Sequence, residues 1–222
     1  MIISLTGFMG CGKSSVGRKL SELLCCPFMD LDDIIVESTG RSIPEIFASE
    51  GEAGFRQMEL EALKQIITPS VMSQCAPLAP SHFVGPSPYA GVRKCQFRTS
   101  VSSPEDETLV LALGGGAVMT PECAQIVKEQ TCCIYLKASI ETLMEHLSGE
   151  ADGRPMLQSK AESQEADTSL RGAERRGNPL EERITNLMAQ RSETYENTAN
   201  IVIDTDGKSI EAIALEIMNL LK

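Results

Sequence analysis

Gly7-Phe8-Met9-Gly10-Cys11-Gly12-Lys13-Ser14 matches the spacing G-x-x-x-x-G-K-[ST], and its flanks decide the fold. Before it, Ile2-Ile3-Ser4-Leu5-Thr6 is a short apolar run ended by glycine; after it, Val16, Leu20, Leu23 and Leu24 recur at helical spacing over 13–25. The reading is strand, glycine loop, helix. Such a loop turns its backbone N–H groups inward around phosphates, and the helix N-terminus adds positive potential. Lys13 supplies a mobile charge for the β/γ-phosphates and Ser14 offers its hydroxyl to Mg²⁺. The plainer alternative, a glycine turn beside an exposed lysine, leaves the flanking strand and helix unexplained.

Working outward, a second short strand at 27–29 runs into Asp30-Leu31-Asp32-Asp33, and Ile34, Ile35 and Val36 begin a helix stopped by Gly40. Ser42-Ile43-Pro44-Glu45 has the spacing of a capping box, so a short helix through Phe47 is expected, then a longer one over 51–67. Apolar runs at 109–113, 132–136 and 201–203 add three strands, with a helix at 121–129 between the first two. Continuous apolar strands separated by helices indicate a parallel sheet covered on both faces, with ligands at the carboxyl ends of the strands. The glycine loop, Asp30, Asp32 and Gly114-Gly115-Gly116 all fall at those ends.

The chain of 222 residues carries 20 Lys plus Arg against 31 Asp plus Glu, a formal charge of −11. That field repels nucleic acid, and no basic run offsets it. The N-terminus has neither a basic region nor a long apolar stretch, and no later run reaches membrane length, so the protein is expected to be cytoplasmic, with no membrane contact. The eight cysteines include the adjacent pairs Cys25-Cys26 and Cys132-Cys133 in apolar surroundings, which read as reduced, mostly buried thiols. Two stretches break the α/β rhythm: 68–106 is rich in Pro and Ser, and 149–179 is polar. A single domain over 1–222 is expected, with a flexible insertion at about 68–106 and an extended lid at about 149–179.

Asp30 and Asp32, read as alternating at a strand end, place two carboxylates near the phosphates, one for the Mg²⁺ shell and one to orient an attacking hydroxyl. Their alternative is a helix N-cap cluster. Arg56 and Glu59 lie three apart on one helical face, where the acid can fix the guanidinium for a bidentate grip on a carboxylate, or simply form a surface ion pair. Arg154 and Arg191 are ordinary surface arginines when taken alone.

The series G-F-M-G-C-G-K-S-S-V-G-R, D-L-D-D-I-I, G-R-S-I-P-E-I-F, G-E-A-G-F-R-Q-M-E, L-A-L-G-G-G-A-V, G-R-P-M-L and R-S-E-T-Y resembles the shikimate kinases. The resemblance implies the P-loop, nucleoside monophosphate kinase-like three-layer α/β fold: a five-stranded parallel sheet in order 2-3-1-4-5, with a mobile lid. It implies transfer of the γ-phosphoryl group of ATP to the 3-hydroxyl of shikimate, with Mg²⁺, by a monomer. Carried onto this chain, it makes Lys13, Asp32 and Arg154 catalytic. Gly10, Cys11, Gly12, Lys13, Ser14, Ser15 and Arg154 would bind ATP; Ser14, and Asp30 through water, would hold the metal. Asp32, Arg56, Gly115, Gly116 and Arg191 would bind shikimate, Glu59 would hold Arg56, and Phe47 and Phe55 would wall the ring.

The chain departs from the family in two places. Arg56 and Gly114 are 114 − 56 = 58 positions apart, and Arg154 and Arg191 are 191 − 154 = 37 apart, both longer than usual for the family. Cys75 and Cys95 in the first stretch could instead serve as exposed redox thiols. Where the family often has an arginine on adenine, this chain reads Glu145-His146-Leu147, with His146 expected to face solvent and Thr205 to Lys208 to shape the adenine pocket. Two alternatives stand beside this reading: a gluconate kinase-like enzyme, and a noncatalytic nucleotide- or shikimate-binding regulator.

Overall fold

The computed structural model describes residues 1–67, 108–147 and 179–222. Arg154, Cys75 and Cys95, the 68–106 stretch and nearly all of 149–179 lie outside the described residues.

The strands are β1 (Ile2–Thr6), β2 (Phe28–Asp30), β3 (Leu109–Ala112), β4 (Cys132–Lys137) and β5 (Ile201–Asp204). They form one sheet in the order β2-β3-β1-β4-β5, every pairing parallel, as the sequence led us to expect. The central strands β1 and β3 are buried along their whole length, which is why they read as unbroken apolar runs. Helices α1 (Lys13–Leu24), α2 (Leu31–Thr39), α3 (Ile43–Ile67), α4 (Pro121–Gln130), α5 (Ile140–Leu147), α6 (Pro179–Thr198) and α7 (Ile210–Leu220) cover the sheet. No described helix is long and apolar enough to cross a membrane.

One boundary differs from the sequence reading. Helix α2 starts at Leu31, three residues early, because the Asp30 carboxylate accepts the Asp32 N–H at 3.1 Å and caps the helix. Asp32 therefore stands in the first helical turn, not on the strand. Helix α3 holds the two helices the sequence led us to expect, divided at Gly51, whose φ of 70° and ψ of −175° leave the helical path. Glu45 accepts both the N–H (2.8 Å) and the hydroxyl (2.6 Å) of Ser42, fixing the start of α3 as the capping spacing implies. None of the described cysteines is in a disulfide, and Cys25 is the exposed one among them.

Candidate active site

The carboxyl ends of β1, β2 and β3 open into a cleft of about 760 Å³. Every site residue named from the sequence lines it, Arg154 apart, so residues spread from Gly10 to Arg191 converge on one volume.

At one end is the glycine loop. Gly10 and Gly12 have φ of 82° and 89°, left-handed conformations that a side chain disfavours, and Gly12 is the residue from which α1 departs. Lys13 folds back over the loop, its Nζ donating to the carbonyls of Gly7 (3.1 Å) and Phe8 (3.0 Å), with the buried Cys11 Sγ at 4.0 Å. Ser14, exposed to the cleft in the first turn of α1, donates to Asp30 Oδ2 at 2.6 Å. A hydroxyl and a carboxylate thus stand side by side below the loop, with Ser15 next along the lining. His146 is exposed, as expected, yet its Nδ1 lies 2.8 Å from the Gly10 carbonyl, and a carbonyl can only accept, so Nδ1 carries the proton. Thr205 and Lys208 line this side of the cleft too, as expected.

At the other end the Arg56 guanidinium is held between two acids of its own helix, Nη1 at 2.5 Å from Glu59 Oε2 and Nη2 at 3.1 Å from Glu52 Oε1. Glu59 is 0% exposed, so this is no surface pair. The guanidinium also packs directly on Gly116, where a Cβ would collide with it. Phe47 and Phe55 sit with ring centroids 4.8 Å apart and form an apolar wall beside Arg56. Arg191 is buried, its guanidinium 6.0 Å from the centroid of the Phe8 ring, which ties α6 to the phosphate loop.

Between the two ends, Asp32 Oδ1 and Glu59 Oε1 are buried and take no hydrogen bond from the described residues. Both point at Gly114: a Cβ there would stand 2.5 Å from the Glu59 oxygen and 2.7 Å from the Asp32 oxygen. Burial pushes the Asp32 carboxyl up to about 6, helped by the negative charge of Asp30 and opposed by Lys13. Burial pushes Glu59 up to about 7, opposed by Arg56 and raised further by Asp32. Two acids whose charge is destabilised meet at the floor of the cleft, between a phosphate-binding loop and a guanidinium.

Sequence reasoning did not single out Glu52 or Tyr195. Glu52 stands four residues before Arg56, an ion-pair spacing that was available to read. Tyr195, buried on α6, donates its hydroxyl to the Gly115 carbonyl, a contact across 80 positions that no local pattern announces.

The model of one protein family, described as shikimate kinase, matches residues 9–76 and 93–222. A shikimate kinase of Geobacter metallireducens is 34% identical over 220 residues, covering 99% of this chain and 91% of the relative. One from Chlorobium phaeobacteroides is 31% identical over 220 residues, covering 97% and 90%. Among solved structures, the shikimate kinase from Acinetobacter baumannii in complex with shikimate aligns with a TM-score of 0.70 at 26% identity, over 99% of this chain and 92% of that one.

Proposed function

The chain belongs to the shikimate kinase family, and we propose that the cleft carries out that family's reaction through the residues assigned here. The enzyme transfers the γ-phosphoryl group of ATP to the 3-hydroxyl of shikimate, giving shikimate 3-phosphate and ADP, a step toward chorismate and the aromatic amino acids. The observation that carries the assignment is the convergence in one cleft of the Lys13 loop, the Asp32 carboxylate and the Arg56–Glu59 pair.

Phosphoryl transfer is mostly positioning and electrostatics. The loop from Gly10 to Ser15 receives the ATP phosphates, and Lys13, held by two neutral carbonyls, is available to them. Ser14 Oγ and Asp30 Oδ2 are hard oxygen donors that fit Mg²⁺, an ion that keeps phosphate and water oxygens as its remaining ligands. When bound it neutralises charge on the phosphates. Arg56, Arg191 and the Gly115–Gly116 backbone grip the shikimate carboxylate and ring hydroxyls, while Phe47 and Phe55 pack on the ring. Asp32 orients the 3-hydroxyl and accepts its proton; a carboxyl raised to about 6 is a better base than an ordinary aspartate and is still mostly ionised at neutral pH. Arg154 supplies positive charge to the transferring phosphoryl group. We take the working unit to be a monomer.

The test is ADP release from Mg-ATP in a coupled assay with shikimate, with gluconate and with no acceptor. Turnover that depends on shikimate alone is the expected result. Folded protein that binds ATP or shikimate but releases no ADP in any arm would instead indicate a noncatalytic regulator. Arg154→Ala is expected to lower kcat about 10³-fold with shikimate KM little changed, by analogy with a removed arginine finger.

A further inference from the structure

Tyr195 takes no part in the chemistry described above, yet it touches one of the groups assigned to the acceptor. It is fully buried, stacked on Tyr135 with ring centroids 5.2 Å apart and an interplanar angle of 26°. Its hydroxyl donates to the Gly115 carbonyl. Arg191 lies one helical turn earlier on α6, and its positive charge acts on the same phenol. Burial raises the phenol well above its ordinary range, so the proton stays on oxygen and the hydroxyl remains a donor to Gly115.

The consequence for the site follows from peptide geometry. In a trans peptide the carbonyl and the next N–H point in opposite directions. With the Gly115 carbonyl held toward Tyr195 on α6, the Gly116 N–H points the other way, and Gly116 itself lines the cleft. The neighbouring peptides are pinned separately, Ala117 N–H to the Gly114 carbonyl at 3.1 Å and Met119 N–H to the Gly116 carbonyl at 3.0 Å. Among the described contacts, Tyr195 fixes the remaining one. Arg191 stands on the same helix, its guanidinium 6.0 Å from the centroid of the Phe8 ring.

We propose that Tyr195 is a positioning residue for the acceptor's carboxylate: its hydroxyl, donating to the Gly115 carbonyl, aims the Gly116 N–H at the anion that Arg191, one turn away on the same helix, also meets. This rests on the assignment of Arg191 and Gly115–Gly116 to shikimate binding. It makes the acceptor half of the cleft depend on a side chain that never meets the substrate, and leaves the nucleotide half untouched.

The test is Tyr195→Phe, which keeps the ring, its burial and the stack on Tyr135. Steady-state kinetics are expected to show shikimate KM raised about tenfold, with ATP KM and kcat within about twofold of the parent. In thermal-shift measurements on the same variant, the stabilisation by saturating shikimate falls by more than half, while that by ATP is kept. A purely structural tyrosine would lower the melting temperature and leave both KM values in place, and that result overturns the proposal; so does a fall in kcat with shikimate KM unchanged. Arg191→Gln, run alongside, separates the two levels of the argument. If Arg191→Gln leaves shikimate KM unchanged, the assignment of the carboxylate site fails. If it raises KM and Tyr195→Phe does not, the positioning role alone fails.

Discussion

Replacing Gly114 by alanine puts one methyl group where two carboxylates meet. The added Cβ would stand 2.5 Å from Glu59 Oε1 and 2.7 Å from Asp32 Oδ1, against ordinary contacts that begin at 3.4 Å. The Glu59 oxygen must therefore retreat by about 0.9 Å and the Asp32 oxygen by about 0.7 Å. Glu59 has little room to move, being 0% exposed with its other oxygen 2.5 Å from Arg56. Asp32, on the first turn of α2, is the more compliant of the two and takes up most of the strain. A misplacement of 1 Å at a reacting group costs about 10²-fold in rate, so a shift of about 0.7 Å predicts a fall in kcat of about 25-fold. ATP KM is expected to stay within about twofold, because the phosphate loop is not displaced. Overpacking of this kind destabilises a protein by roughly 1–3 kcal/mol, so the variant stays folded and measurable. The assay is coupled ADP release at saturating Mg-ATP with varied shikimate, beside a thermal melt. A folded Gly114→Ala enzyme with kcat within about threefold of the parent would falsify the argument that this contact holds Asp32 in its working position.

Glu59→Gln tests the raised carboxyl through stability. A folded-state value of about 7 against an ordinary 4.5 means that the folded protein holds the proton more tightly, so stability present below about pH 4.5 is lost as pH rises through 7. In Glu59→Gln, denaturant titrations across pH 4.5–7.5 are expected to show a flatter decline; an unchanged slope would mean that Glu59 does not titrate there. His146→Ala, which removes the hydrogen bond to the Gly10 carbonyl, is expected to raise ATP KM about fivefold with shikimate KM unchanged, and His146→Asn, which keeps a donor near the Nδ1 position, to restore most of it. Equal ATP KM values in all three proteins would show that the contact does not shape the loop. Glu52→Gln, which frees one face of Arg56, is expected to lower shikimate KM two- to threefold; a rise instead would show that Glu52 helps to hold the guanidinium in place.

What the sequence made legible follows from how local each signal is. The phosphate loop and the sheet could be read because their determinants lie within one strand–turn–helix unit and within single apolar runs: Ile2–Thr6, Leu109–Ala112 and Cys132–Lys137 are each buried almost throughout. The order of the strands was not visible in periodicity and came from the family resemblance. Asp32 was placed among the right partners but on the wrong element, because the spacing of two acids cannot tell a strand end from a capped first turn. The deciding contact, from the Asp32 N–H to the Asp30 carboxylate, is a matter of backbone conformation. Tyr195 and His146 were missed as contributors because their bonds reach across 80 and 136 positions to backbone carbonyls, which carry no residue-type signature.

The partners already held by the cations explain how a protein of net charge −11 can take up two anionic substrates, and they distinguish the two halves of the cleft. Lys13 is held by two neutral carbonyls with the Cys11 Sγ nearby and feels Asp32 only at a distance, so a phosphate can recruit it without displacing an ion pair. The hydrogen bonds it gives up are the weaker, uncharged kind, and those it gains are charge-assisted. Arg56 is different: Glu59 and Glu52 already balance its charge, and a carboxylate that takes up its remaining N–H donors competes with them for that charge. Glu59 is buried and cannot leave without stranding an acid in a dry site, whereas Glu52 is about half exposed and can turn out into water at little loss. The acceptor's carboxylate thus exchanges with Glu52 while Glu59 keeps the guanidinium in position. That exchange leaves the charge at Arg56 nearly constant, so acceptor affinity has to come from geometry, from the direction of the Gly116 N–H, the Arg191 side chain and the Phe47–Phe55 wall. Nucleotide affinity draws on an unbalanced charge instead, and is the half of the cleft whose binding should weaken more as ionic strength rises.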